Sequence, residues 1–204
     1  MKWMKMITVT LLTAIILAGC SGSDSSKAEY VQGLLDIAYN KGTEVYVKAA
    51  DVKEEDAKNY SQQALEAEAK VMAAYFGIEE PSEEVLKSFQ GFCEKMYKEV
   101  SYKVEAKGDS VQVSTNQIII GSQSEALQNY VDDFNIRQFV DGDASCTDEA
   151  FAKGAVEVME QDLKKLFCGT QTKTIEVTVT EKDGKMSVSD KDLENLDSQI
   201  IVYD

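Results

Sequence analysis

The chain contains no histidine, a single proline and four cysteines, and its 21 Lys plus Arg are outnumbered by 36 Asp plus Glu. Without histidine it lacks the commonest general base and the commonest side-chain metal ligand. The thiol–imidazole couple of cysteine proteases and the Ser-His-Asp triad are excluded with it. A formal charge of −15 disfavours any partner held through phosphates, so no nucleic-acid partner is expected. There is no C-x-x-C pair, and the thiols are widely spread, which argues against zinc and iron–sulfur centres; no cofactor is expected. G-x-S-x-G, S-x-x-K and Gly-rich phosphate loops are also missing. The chain therefore reads as a non-enzyme. A hydrolase working with carboxylates alone is the catalytic alternative that remains.

No hydrophobic run is long enough to cross a bilayer. The longest, Met6 to Ala18, has 13 residues, about 20 Å as a helix against a hydrocarbon core of roughly 30 Å. It follows Lys2 and Lys5 and closes on Leu17-Ala18-Gly19-Cys20, so it reads as a signal-peptide apolar region. Small residues directly before Cys20 resemble the bacterial lipobox. That resemblance implies lipidation of Cys20, removal of residues 1–19 as a signal peptide, and a membrane anchor facing the extracytoplasmic side. Residues 20–27 would then be the lipidated cysteine and a Gly/Ser-rich tether, and 28–204 a single extracytoplasmic domain. Losing residues 1–19 removes two lysines and no acid, which moves the formal charge to −17. Such a domain is repelled by an anionic leaflet and is expected to stand off it.

With 44% hydrophobic and 28% charged residues, the chain can bury a substantial core. Ser26-x-x-Glu29 has the form of a capping box, with Tyr30, Val31, Leu34, Leu35 and Ala38 on one helical stripe. A short helix over 44–50 follows. Asp51 is placed to cap a long helix with Tyr60, Ala64, Ala67, Val71 and Tyr75 on its apolar face, ending at Gly77. Pro81-Ser82 opens another helix running to about Glu99. The period then changes from 3.6 to 2, giving a hairpin from Val100 to Ile120 around Gly108-Asp109. Ser122-x-x-Glu125 caps a further helix, and residues 148–168 form one more. A second hairpin turns at Asp183-Gly184, and Ile200–Tyr203 is a short last strand. At an offset of 75 residues, Phe92-Cys93 aligns with Phe167-Cys168, and Val100, Tyr102 and Val104 with Ile175, Val177 and Val179. The expected fold is α+β: a curved antiparallel sheet of four strands or slightly more, built from two helix-then-hairpin units, with helices on one face.

Beyond Cys20, three cysteines remain. If 148–168 is one helix, Cys146 and Cys168 lie about 30 Å apart, whereas a disulfide needs Cα atoms within about 7 Å. Cys93 then takes part in any bond. Cys93–Cys168 is the first expectation and Cys93–Cys146 the second, with the absence of any bond left open. Asp141, Asp143 and Ser145 imitate the start of an EF-hand loop, but Cys146 stands where its glycine belongs and Ala152 where its bidentate glutamate belongs. The alternative is a solvated loop feeding acids to a helix N-terminus. Tyr30, Tyr39, Tyr46, Tyr60, Tyr75, Tyr97 and Tyr102 sit in periodic apolar runs, where core packing accounts for them and a ligand pocket is the other reading.

The segments Tyr30-Val-Gln-Gly-Leu-Leu-Asp36 through Gly42, Met96-Tyr97 through Val104, and Thr178 through Met186 are similar to a group of surface lipoproteins from Gram-positive gut bacteria. That group is likened to the nuclear transport factor 2 and cystatin architectures. Its members often carry tryptophan where Met186 stands. The resemblance implies a curved sheet cradling helices and no particular chemistry. The functional expectation is a non-catalytic module that binds a small ligand or an envelope protein. A structural or accessory subunit of an envelope complex is the alternative.

Overall fold

The computed structural model describes Leu17–Ala18 and residues 24–204 apart from 109 and 183. A strand, β1 (Leu17–Ala18), precedes four helices: α1 (Asp24–Ala38), α2 (Glu44–Ala50), α3 (Glu54–Tyr75) and α4 (Glu83–Glu99). The hairpin β2 (Tyr102–Lys107) and β3 (Ser110–Ile120) follows, then α5 (Glu125–Asn135) and a π turn over Ile136–Val140. Next come α6 (Asp148–Asp162), a second π turn over Leu163–Phe167, the hairpin β4 (Cys168–Lys182) and β5 (Lys185–Val188), α7 (Asp190–Ile200) and β6 (Ile201–Tyr203). Among the described residues, no helix is long and apolar enough to cross a membrane.

The helix boundaries follow local chemistry. Ser82, Ser124, Thr147 and Ser189 each sit at an N-cap, and each accepts the backbone N–H three residues on. Three expected caps are displaced. α5 is capped by Ser124 rather than Ser122, whose hydroxyl donates to Asp204. α1 begins at Asp24, so Ser26 lies inside its first turn. Asp51 adopts φ 51° and closes α2 through its N–H to the Val47 carbonyl, leaving Lys53 at the start of α3. The buried face of α3 is also rotated from the expected stripe. It carries Ala57, Ala64, Leu65, Glu68, Ala69, Met72 and Ala73, while Tyr60, Ala67, Val71 and Tyr75 are half-buried. In so alanine-rich a helix, small apolar residues occupy several faces, and periodicity alone does not choose among them.

The two hairpins join through β3 and β4 into one sheet of order β1-β5-β4-β3-β2, with β6 running parallel beside the end of β3. Val104 faces Val113, and Val113 faces Ile175, so one apolar row crosses three strands. The register shifts between Asn116 and Ile118. That irregularity reverses the parity of β3: Val111, Val113 and Thr115 are buried before it, Ile118 and Ile120 after it. One long strand thereby keeps its apolar side on the core throughout. The opposite face is polar, with Lys103, Glu105, Thr174 and Glu176 exposed. The fold is α+β, with the expected helix-then-hairpin pairs; the expected last strand is β6, which runs parallel to β3, and α7 is an addition.

A continuous apolar core runs from Tyr30 to Ile201, with Phe89, Phe92, Met96, Phe167 and Met159 fully buried at its centre. Phe76, Phe134 and Phe151 form an aromatic knot where α3, α5 and α6 meet, with centroids 5.3 Å and 5.1 Å from Phe151. Tyr30 and Tyr46 are fully enclosed, their rings 6.3 Å apart. The Tyr46 hydroxyl is buried and finds no hydrogen-bond partner among the described residues. Leaving such a group unsatisfied costs about 1–3 kcal/mol. Tyr46→Phe is therefore expected to raise stability by about 1 kcal/mol in urea denaturation. A loss of stability would show that the hydroxyl has a partner.

Candidate functional site

Three carboxylates accept from tyrosine hydroxyls, two of them along the seam where the first helices meet the C-terminal α7 and β6. Glu68 projects from the buried side of α3 and accepts a 2.5 Å hydrogen bond from the Tyr203 hydroxyl on β6. Asp197 on α7 accepts from Tyr39, at the end of α1, at 3.4 Å. Asp36 on α1 accepts from Tyr102 on β2 at 2.6 Å and from the Gln32 amide at 2.8 Å. Ring contacts link two of these pairs: Tyr39 meets Tyr102 at 6.2 Å, and Tyr97 edge-on at 5.4 Å.

The electrostatics of the seam are one-sided. Burial raises the pKa of Glu68, against the opposing hydrogen bond from Tyr203. Asp197 keeps part of its surface in solvent, yet desolvation of its carboxyl, then the charge of Glu68, pushes it up to about 8. Burial likewise drives the Tyr39, Tyr97 and Tyr203 hydroxyls and the Cys93 thiol well above their ordinary values. No lysine or arginine among the described residues offsets either carboxylate. Asp197 therefore keeps its proton at neutral pH. A carboxyl with a raised pKa can act as a general acid, but neither Glu68 nor Asp197 borders the open groove of about 370 Å³ in the surface. That groove is lined by Ala28, Glu29, Gln32, Val45, Lys48 and Val104.

Sequence reasoning did not single out Glu68, Asp197 or Tyr203. The available signal was an acid on an apolar helical face, Glu68 between Leu65 and Met72, and Asp197 beside Leu193, Leu196 and Ile200.

The anticipated sites fall elsewhere. Cys20 lies outside the described residues. The expected disulfides are corrected, because Cys93, Cys146 and Cys168 are all free. The 75-residue offset equated unlike positions. Cys93 is fully buried inside α4, beside Glu68, whereas Cys168 opens β4 opposite Ile118 and senses Glu99 and Lys164. Glu99 ends α4, about 9 Å along the axis from Cys93. Cys146 is buried in the loop before α6, where its carbonyl accepts from the Gln138 amide.

In that loop the Asp143 carboxylate is fully engaged. One oxygen accepts the Ser145 N–H and hydroxyl at 2.9 Å and 2.7 Å, and the other accepts the Arg137 guanidinium at 3.0 Å and 3.3 Å. Those bonds, Ser145 first, hold its pKa down at about 2. Asp141, Asp143 and Ser145 thus form a self-contained turn, and no group of three or more acidic or thiol side chains among the described residues is arranged to hold a metal ion. The same loop abuts the π turn after α5, which exposes Ile136, Phe139 and Val140.

No family model matches the chain, and no curated protein does. Among solved structures, the chain is similar to the crystal structure of ycdA, a candidate lipoprotein from Bacillus subtilis subsp. subtilis str. 168. The TM-score is 0.60 at 17% identity, over 86% of this chain. The chain spans 56% of that protein's length. At this identity the likeness establishes a common fold.

Proposed function

We propose that this chain is a lipid-anchored extracytoplasmic module that binds a partner and performs no catalysis. The observation that carries the reading is the sequence Leu17-Ala18-Gly19-Cys20 closing a charged and then apolar leader. Sharing a fold with a candidate lipoprotein supports it, as does the resemblance to the surface lipoproteins likened to nuclear transport factor 2 and cystatin. In the mature protein, cleavage before Cys20 takes β1 away and leaves β5 as an edge strand. That strand is only four residues long and opens on the exposed Lys185, features that discourage edge-to-edge pairing. Two or three acyl chains on Cys20 hold the domain stably, and the Gly/Ser tether lets it range above the leaflet.

A binding role fits the distribution of side chains better than hydrolysis. The carboxyls whose pKa burial raises lie in a packed tyrosine seam, while the surface groove carries Glu29 and Lys48, 3.8 Å apart and exposed. The accessory-subunit alternative gains weight from the exposed Ile136, Phe139 and Val140, since such patches mark protein contacts.

Cys20→Ala tests the anchor. The variant is expected to lose lipid labelling, and its membrane-bound fraction to fall roughly tenfold or more in fractionated cells. Undiminished labelling and membrane retention would refute the anchor.

A further inference from the structure

We infer that the π turn over Ile136–Val140 is a docking knob for a basic protein partner whose surface offers an apolar socket; this rests on the binding-module reading above. Ile136 is 51%, Phe139 77% and Val140 76% exposed, and they are the large hydrophobic side chains that the described residues leave in water. All three fall within five consecutive positions. Elsewhere the described residues bury or half-bury their large apolar groups, so this cluster is not the scatter of single apolar residues that any surface shows.

The knob is rigid. The Asp141 N–H returns to the Ile136 carbonyl at 3.1 Å, and the Asp143 N–H to the Arg137 carbonyl at 3.0 Å. Arg137 is clamped to Asp143 and lies over the Phe134 ring at 5.9 Å. The Gln138 amide reaches the Cys146 carbonyl at 3.1 Å. A turn tied at both ends and across its middle presents Phe139 and Val140 with little ordering left to do on binding.

Charge selects the occupant. Asp132 and Asp133 in the last turn of α5, and Asp141 beside Val140, are exposed acids without an ion pair among the described residues. The nearby cation, Arg137, is spent on Asp143. Exposed acids directly before and after an apolar turn oppose an anionic leaflet and also a second copy of it, and they complement a basic partner surface.

The test uses the full-length anchored chain in cells, with a photo-crosslinking amino acid at position 139 or, as a control, at Gln32 in the groove. The expected result is a discrete protein adduct at 139. Once purified, that partner should bind the wild-type chain with an affinity that falls as salt rises. Phe139→Ala should weaken binding about 30-fold, and Asp141→Lys about tenfold, with melting temperatures unchanged because both side chains are exposed. A lipid adduct, a self-adduct, or affinity indifferent to Phe139→Ala would overturn the knob. An adduct at 32 with none at 139 overturns the knob and spares the binding module. Adducts at neither position count against both.

Discussion

Raising the pH from about 4.5 to about 8.5 is expected to cost the folded domain about 3 kcal/mol, and Asp197→Asn to abolish most of that loss. The Asp197 carboxyl holds its proton up to about pH 8 in the folded protein, against an ordinary value of 3.8. Because the folded value is the higher one, its contribution is complete below pH 4. It is then lost progressively as pH rises through 8. The full displacement corresponds to about 6 kcal/mol. Partial exposure of Asp197 to water screens roughly half of it.

Other groups do not cancel this slope within the window. Glu68 is buried and raised in the same direction, so it adds to the loss. Tyr39, Tyr97, Tyr203 and Cys93, which face the two carboxylates from α1, α4 and β6, are pushed above their ordinary values and ionise beyond it. The lowered carboxyls, among them Glu54, Glu83 and Asp143, are exposed and act at more acid pH. Urea denaturation at several pH values, for wild type, Asp197→Asn and Glu68→Gln, checks the expectation. Asparagine keeps an acceptor for Tyr39, so the variant should match wild type near pH 4.5 and exceed it at pH 8.5. Parallel curves for wild type and Asp197→Asn would dispose of the idea. On the extracytoplasmic reading proposed above, this slope has a consequence: the last helix and strand are held less firmly as the surroundings turn alkaline.

The parts of this fold visible in the sequence are those whose signal is local. Alternation in Val100–Val104 and Ile175–Val179, the helix start at Ser82, and the turns at Gly108 and Gly184 all declare themselves within a few residues. α7 was hidden because Leu193, Leu196 and Ile200 are its only large apolar residues among eight polar ones, directly after a strand. The parity switch at Gln117 was hidden because a bulge leaves no mark in an isoleucine run. The Glu68–Asp197 seam joins residues 129 positions apart, and only tertiary packing brings them together. The cysteine pairing failed for a related reason: two Phe-Cys pairs look equivalent in sequence, yet one lies within a helix and the other begins a strand.

Gly33→Ala should destabilise the domain by about 2 kcal/mol, although alanine is the better helix former by about 1 kcal/mol. A Cβ at position 33 would lie 2.6 Å from the Tyr46 Cα and 2.7 Å from its backbone nitrogen. Those are main-chain atoms, so no rotamer change relieves the contact, and α2 must move bodily away from α1. α2 has seven residues, too few to persist without its neighbours. Tyr46 and Ala50, both fully buried, anchor it to the core. Displacing α2 withdraws the Tyr46 ring from Tyr30 and spoils packing on both helices. Gly91 provides the contrast within the same molecule. It lies inside α4 with nothing within 4 Å of its Cβ position, so Gly91→Ala should gain about 0.5–1 kcal/mol from propensity alone. In thermal melts the two substitutions should move the midpoint in opposite directions, Gly33→Ala downward by about 6 °C. Two shifts of the same sign would mean that helix propensity, not the α1–α2 contact, decides what position 33 requires.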